Sequence, residues 1–157
     1  MNAASSIELM LLACGKALLT AARWLGDNPS THSLALGYFG ASTGAAATLV
    51  AAAREPGRVS AVAFRGGRPD LAMRRLPQVK APTLLVVGEN DEQVLQWNRD
   101  AHERLGIEKE LVVVPRATHL FEEPGALEEV ARHACRWFVR HLAPAGAHAG
   151  ASAKTEP

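Results

Sequence analysis

An excess of charge of either sign is missing from this 157-residue chain: 17 Lys and Arg stand against 16 Asp and Glu, a formal net charge of +1. With no cationic field to hold a polyanion, neither nucleic acid nor an anionic membrane surface is an expected partner. Cysteine is nearly absent too. Cys14 and Cys135 fit no C-x-x-C or mixed Cys/His ligand spacing, so the pattern predicts two buried thiols in a reducing compartment and no metal site. Aromatic residues are only 5% of the chain. Trp24, Trp97 and Trp137 fall in helical segments, where filling gaps against a sheet is the expectation, and no cofactor is implied. Long apolar runs are lacking as well. Leu11-Leu12-Ala13-Cys14 resembles a lipoprotein cleavage box, but no Lys or Arg precedes it and Glu8 interrupts the apolar run. Such a run is expected to be too short for a leader or a membrane span, which points to a cytoplasmic protein.

What is present is an alternation. In residues 5–27, Ile7, Leu11, Cys14, Leu18, Ala21, Ala22 and Leu25 recur at helical spacing, with Asp27-Asn28-Pro29 as the stop. Residues 34–39 form an apolar run ending at Gly40, and an Ala-rich helix is expected from Thr43 to Arg54. Residues 59–64 read as a buried strand, 66–82 as an irregular stretch, 83–87 as a strand covered on both faces, 93–105 as a helix and 111–114 as a fourth strand. Pro124 opens a last helix with Leu127, Val130, Ala131, Ala134, Phe138 and Leu142 on one face. The expected fold class is α/β, a mostly parallel sheet of about four strands with helices on both faces, in one domain over residues 1–143. Residues 1–4 and the Ala/Gly/Ser-rich 144–157 are expected to be frayed.

Ligands of such sheets sit beyond the carboxyl ends of the strands, so the residues after each strand carry the interest. After the first comes Gly40-Ala41-Ser42-Thr43-Gly44, a G-x-S-x-G motif between an expected strand and an expected helix. That turn lifts a serine above the sheet; Gly40 and Gly44 are expected to let it close, and the Thr43 amide to face an oxyanion. After the third strand comes Asp91, and after the fourth His119. A serine hydroxyl needs an imidazole base, and the imidazole a carboxylate that fixes its tautomer, so Ser42, His119 and Asp91 are the candidate nucleophile, base and acid. Asp91 is also placed to cap the following helix, and Asp70 is the substitute acid. His119 as a loop histidine against Glu122 and Glu123 is the plainer alternative. Arg65, Arg68, Arg74 and Arg75 read as a solvated basic loop, with steering of an anionic substrate as the other reading.

Through GYFGASTGAA, RGGRPDLA, PTLLVVGENDE and PRATHLFEEPGALEEVA, the stretch from about residue 21 to 142 resembles the C-terminal part of the α/β-hydrolase fold, closest to dienelactone-hydrolase-like serine esterases. The resemblance implies the roles just given for Ser42, Asp91 and His119 and a small-molecule ester substrate. Dienelactone hydrolases proper carry cysteine where this chain has Ser42. The family places further strands before residue 5, one of which supplies a second oxyanion amide, so the fold is expected to be truncated and the activity reduced; losing one such donor costs roughly 100–1000-fold. The resemblance also places the first and last helices on opposite faces of the sheet, which forbids a Cys14–Cys135 disulfide. It leaves residues 34–39 as a sheet edge, from which a homodimer or other homo-oligomer is expected. The competing expectation is a non-catalytic hydrolase-like domain completed by another chain.

Overall fold

The computed structural model describes residues 3–142; the expected frayed tail at 144–157 and the first two residues lie outside them. Helix α1 spans Ala3–Asp27, strand β1 Gly37–Ala41, α2 Thr43–Arg54 and β2 Ala61–Arg65. A run of 3-10 turns at Pro69–Gln78 follows, then β3 Thr83–Gly88, α3 Glu92–Arg104, β4 Lys109–Val114 and α4 Ala126–Leu142. The four strands form one parallel sheet in the order β1-β2-β3-β4. Every connection is a crossover, which parallel pairing requires.

Strand alternation divides the core. Val62, Phe64 and Leu85 face α1, α2 and the 3-10 segment, while Ala61, Ala63, Leu84 and Val86 face α4. Helices α1 and α4 therefore lie on opposite faces, as expected. Ala45 to Ala52 of α2 are all buried, because the helix packs on the sheet beneath α1 and the 3-10 segment. Gly37 of β1 makes room for α4, since a Cβ there would come within 2.7 Å of the Phe138 ring.

Several expectations are corrected. The first strand starts at Gly37 rather than 34, because turns joining Asn28, Thr31, His32 and Leu34 hold Leu34 out in solvent. Apolar composition alone could not reveal that. The second strand is likewise shifted to 61–65. In α1 the inner stripe is Leu11, Gly15, Leu19 and Ala22, because bare Gly15 lets the helix approach α2, where its missing Cβ would lie 3.6 Å from Val50. That rotation turns Cys14 outward. Cys135 is outward too, beside the buried stripe Ala126, Val130, Ala134 and Trp137, so both cysteines are exposed free thiols rather than buried ones. The same stripe leaves Leu127 exposed. Trp137 is buried as expected, but Trp24 is 63% exposed and Trp97 carries the Arg68 guanidinium 4.1 Å above its ring. The apolar run in α1 is also longer than expected. Leu9–Asp27, with mean hydropathy 1.3, is long and apolar enough to cross a membrane; here one stripe of it packs on α2 and most of the rest is exposed.

Candidate active site

The end of β1 is a sharp turn built by one glycine. At Gly40 a Cβ would stand 2.9 Å from the backbone of Ala45 and from the Gly44 carbonyl, so no larger residue lets α2 start this close to the strand. Gly44 is different: a Cβ there meets nothing within 4 Å, which corrects the expectation that both glycines are needed for closure. Ser42 sits at φ 50° and ψ −125°, a conformation an L-residue holds only when its surroundings impose it. They do so through three backbone hydrogen bonds. Ser42 N–H donates to Arg65 O at 3.2 Å, and Ser42 O accepts from Arg68 at 3.0 Å and from Ala45 at 3.1 Å.

The loop at the end of β2 thus clamps the turn, and it is itself wedged in place. A Cβ at Gly67 would lie 2.4 Å from the Phe64 ring, and one at Gly66, where φ is +49°, would touch the ring and carbonyl of His119. From α3, the fully buried Asn98 donates its amide to Gly67 O at 2.9 Å and to Val94 O at 2.8 Å. Asn98 was not singled out from the sequence, where a lone polar residue in a helix carries no signal of burial.

The loops after β3 and β4 interlock. Gly88 ends β3 directly under the Ala117 carbonyl, 2.3 Å from where a Cβ would be. Asn90 N–H donates to Ala117 O at 2.9 Å and its side-chain amide to Arg116 O at 2.8 Å, while Glu89 accepts from Arg116 N–H at 2.8 Å. Glu123 accepts from Thr118 N–H at 3.0 Å, and its carboxyl is held below the ordinary value chiefly by the Thr118 side-chain hydroxyl. Arg116 and Phe121 take positive φ values of 62° and 57°. Phe121 is buried, the Arg65 guanidinium lies 5.5 Å from its ring centre, and Arg65 also reaches His119 O at 3.5 Å.

Held between these loops, His119 meets both other candidates. Its Nδ1 is 2.6 Å from Asp91 Oδ2 and its Nε2 is 3.3 Å from Ser42 Oγ. A carboxylate can only accept, so Nδ1 carries the proton and Nε2 presents its lone pair to the serine hydroxyl. Asp91 stands at the N-cap position of α3 but makes no side-chain cap; its carboxylate is committed to the imidazole, which corrects the expectation of a double role. Asp70, the substitute, is instead bidentate with Arg68 at 2.8 and 2.9 Å. Arg65 and Arg68 are therefore internal ties rather than solvated loop charges. Thr43 opens α2, and the first N–H groups of a helix have no partner within it. No three His, Cys, Asp or Glu side chains among the described residues gather as metal ligands.

A model of the dienelactone hydrolase family matches residues 11–143. A dienelactone hydrolase from Anabaena variabilis is 56% identical, superimposes with a TM-score of 0.81, and is matched over 82% of this chain and 60% of its own. A monoacylglycerol lipase from Paleococcus ferrophilus shares the fold at 18% identity, with a TM-score of 0.70 over 83% of this chain and 76% of its own. Two Mycobacterium tuberculosis proteins, both with the provisional name phosphoribosyl transferase, are 52% identical over 145 residues, 92% of this chain but 32% of theirs. The chain thus spans about a third of the length of those curated relatives. An α/β sheet bearing a strained serine turn, a match over most of the chain and majority identity to a solved member agree: this chain belongs to the dienelactone hydrolase family.

Proposed function

We propose that the chain carries the acyl-transfer centre of a serine hydrolase acting on small carboxylic esters. One observation carries this reading: His119 lies within hydrogen-bond reach of both Ser42 and Asp91, residues from three different loops. In the proposed reaction Ser42 Oγ attacks the ester carbonyl while His119 Nε2 takes the hydroxyl proton. The tetrahedral oxyanion faces the Thr43 N–H at the positive end of α2. Collapse expels the alcohol, which takes the proton from His119, and leaves an acyl group on Ser42. Water repeats the sequence to release the acid. Throughout, Asp91 holds the imidazole tautomer and stabilises its cationic form.

The segment between β2 and β3 is a short 3-10 run rather than an inserted lid, and His119 is 37% exposed. An open site of this kind suits short acyl chains. The provisional transferase name of the curated relatives covers proteins about three times as long as their match to this chain.

Assembly belongs to the same reading. Among the described residues β1 pairs only with β2, and an apolar edge with unpaired backbone groups invites another strand. We therefore expect the isolated 157-residue chain to form a two-fold dimer through β1. The decisive test of the catalytic reading is labelling with a fluorophosphonate and locating the adduct. Modification at Ser42, absent in His119→Ala, supports an activated nucleophile; an unlabelled Ser42 in folded protein favours the non-catalytic alternative.

A further inference from the structure

A groove of about 570 Å³ runs along the outer side of α2, between α1 and the 3-10 segment. Leu11, Val50 and Met73 are among its apolar walls, and Arg54, Arg74 and Arg75 line it as well. Its size falls in the range of small-molecule sites, roughly 300–1,000 Å³. It is separate from the chemistry at Ser42. Val50 and Arg54 lie eight and twelve residues further along the chain, about 12 and 18 Å by helical rise.

The charges of the groove are out of balance. Asp70, the acid lining it, is already bidentate with Arg68. Arg54, Arg74 and Arg75 have no carboxylate partner among the described residues. Three unpaired guanidinium groups beside an apolar trough define a complementary ligand: an apolar body with an anionic end. The planar fork of arginine matches a carboxylate in bidentate fashion. A trough floored by one helix and walled by two elements encloses a single chain, not a bilayer surface. We propose that this groove binds a free single-chain carboxylate amphiphile of the fatty-acid type. The bound chain lies along Val50 and Met73, with its carboxylate held among Arg54, Arg74 and Arg75. Such a ligand ties α1 and the 3-10 segment together across the helix that carries the serine turn.

The test is titration calorimetry of the 157-residue chain with decanoate below its micelle concentration, with decanol and decyltrimethylammonium as matched controls. The expected result is saturable binding of one decanoate per chain, weakened about tenfold or more in Arg74→Glu/Arg75→Glu, with both controls at least about tenfold weaker than decanoate. Ser42→Ala binds decanoate as the unsubstituted chain does, which separates this site from the catalytic one. Because both arginines are exposed, the double variant should keep its far-ultraviolet spectrum; if it does not, Arg54→Gln, which must also weaken binding, takes its place. Equal affinity for decanoate and decanol, undiminished binding by the folded arginine variant, or heat without saturation overturns the proposal.

Discussion

The two sides of Ser42 are built to different standards. Toward β2, the serine backbone is bonded to Arg65, Arg68 and Ala45, the clamping loop is pinned by Asn98, and the His119 loop closes over Gly66. Away from β2, the turn has no neighbouring strand among the described residues, Phe39 is 50% exposed, and Gly44 faces open space. That first side fixes where His119 and Asp91 sit, so the proposed proton transfer would depend on it. In the proposed reaction the oxyanion would draw on donors from both sides, the Thr43 amide among them. The lesson is that the meeting of Ser42, His119 and Asp91 is fixed by the loops after β2, β3 and β4, whatever lies along the other edge of β1.

The strongest way to break that contrast is at the finished side. Ser42→Ala should reduce ester hydrolysis to background, a loss on the order of a thousandfold or more, measured with a short-chain chromogenic ester. Turnover equal to that of the unsubstituted chain would move the activity to another group. Asp91→Asn should leave the circular dichroism unchanged and lower turnover by roughly 100- to 10,000-fold, since an amide favours the wrong imidazole tautomer. The two glycines of the turn offer a direct comparison. Gly40→Ala should destabilise by about 1–3 kcal/mol through overpacking against Ala45, whereas Gly44→Ala should be neutral or gain up to about 1 kcal/mol from helix propensity; chemical denaturation of both variants measures the gap.

At the bare side, the expected dimer should appear in sedimentation at micromolar concentration, and Phe39→Lys should convert it to monomer, because a charged edge opposes pairing. A monomeric unsubstituted chain would show that the β1 edge is covered by some other means. The smallest effect involves neither side. His102, His133 and His141 are all held below the ordinary histidine value, chiefly by desolvation. With the folded value below the unfolded one, the unfolded state binds protons first as pH falls. Their contribution to stability is therefore present above about pH 6.5 and lost on acidification below it. Denaturation at pH 7.5 and 5.5 should show this loss, and it should shrink in His141→Phe.

Much of this was legible in the residues. The Gly-x-Ser-x-Gly turn between an apolar run and an Ala-rich helix located the strained serine, because turn and cap chemistry is local. Asp91 and His119 stood out because each follows a strand of a parallel sheet, where side chains converge. The alternation itself predicted the parallel sheet, while the edge strand and the opposite placement of α1 and α4 followed from the family resemblance. Less visible were the face of α1, rotated by Gly15, and the loss of Leu34 to a turn. Asn98, Gly67 and Gly88 were invisible as site residues, since their importance is a clearance or a hydrogen bond to a segment distant in sequence.

What the sequence by itself determined was the order of elements and which side chains lie at the carboxyl ends of the strands, because hydrophobic period and turn preference act over a few residues. What only the tertiary structure decided was which aspartate meets His119. Asp91 and Asp70 are both loop aspartates in sequence, yet Asp70 is captured by Arg68 two residues away, while the interlocked β3 and β4 loops carry Asp91 to 2.6 Å from the imidazole. The distinction rests on packing between segments 28 residues apart, and no pattern confined to either segment contains it.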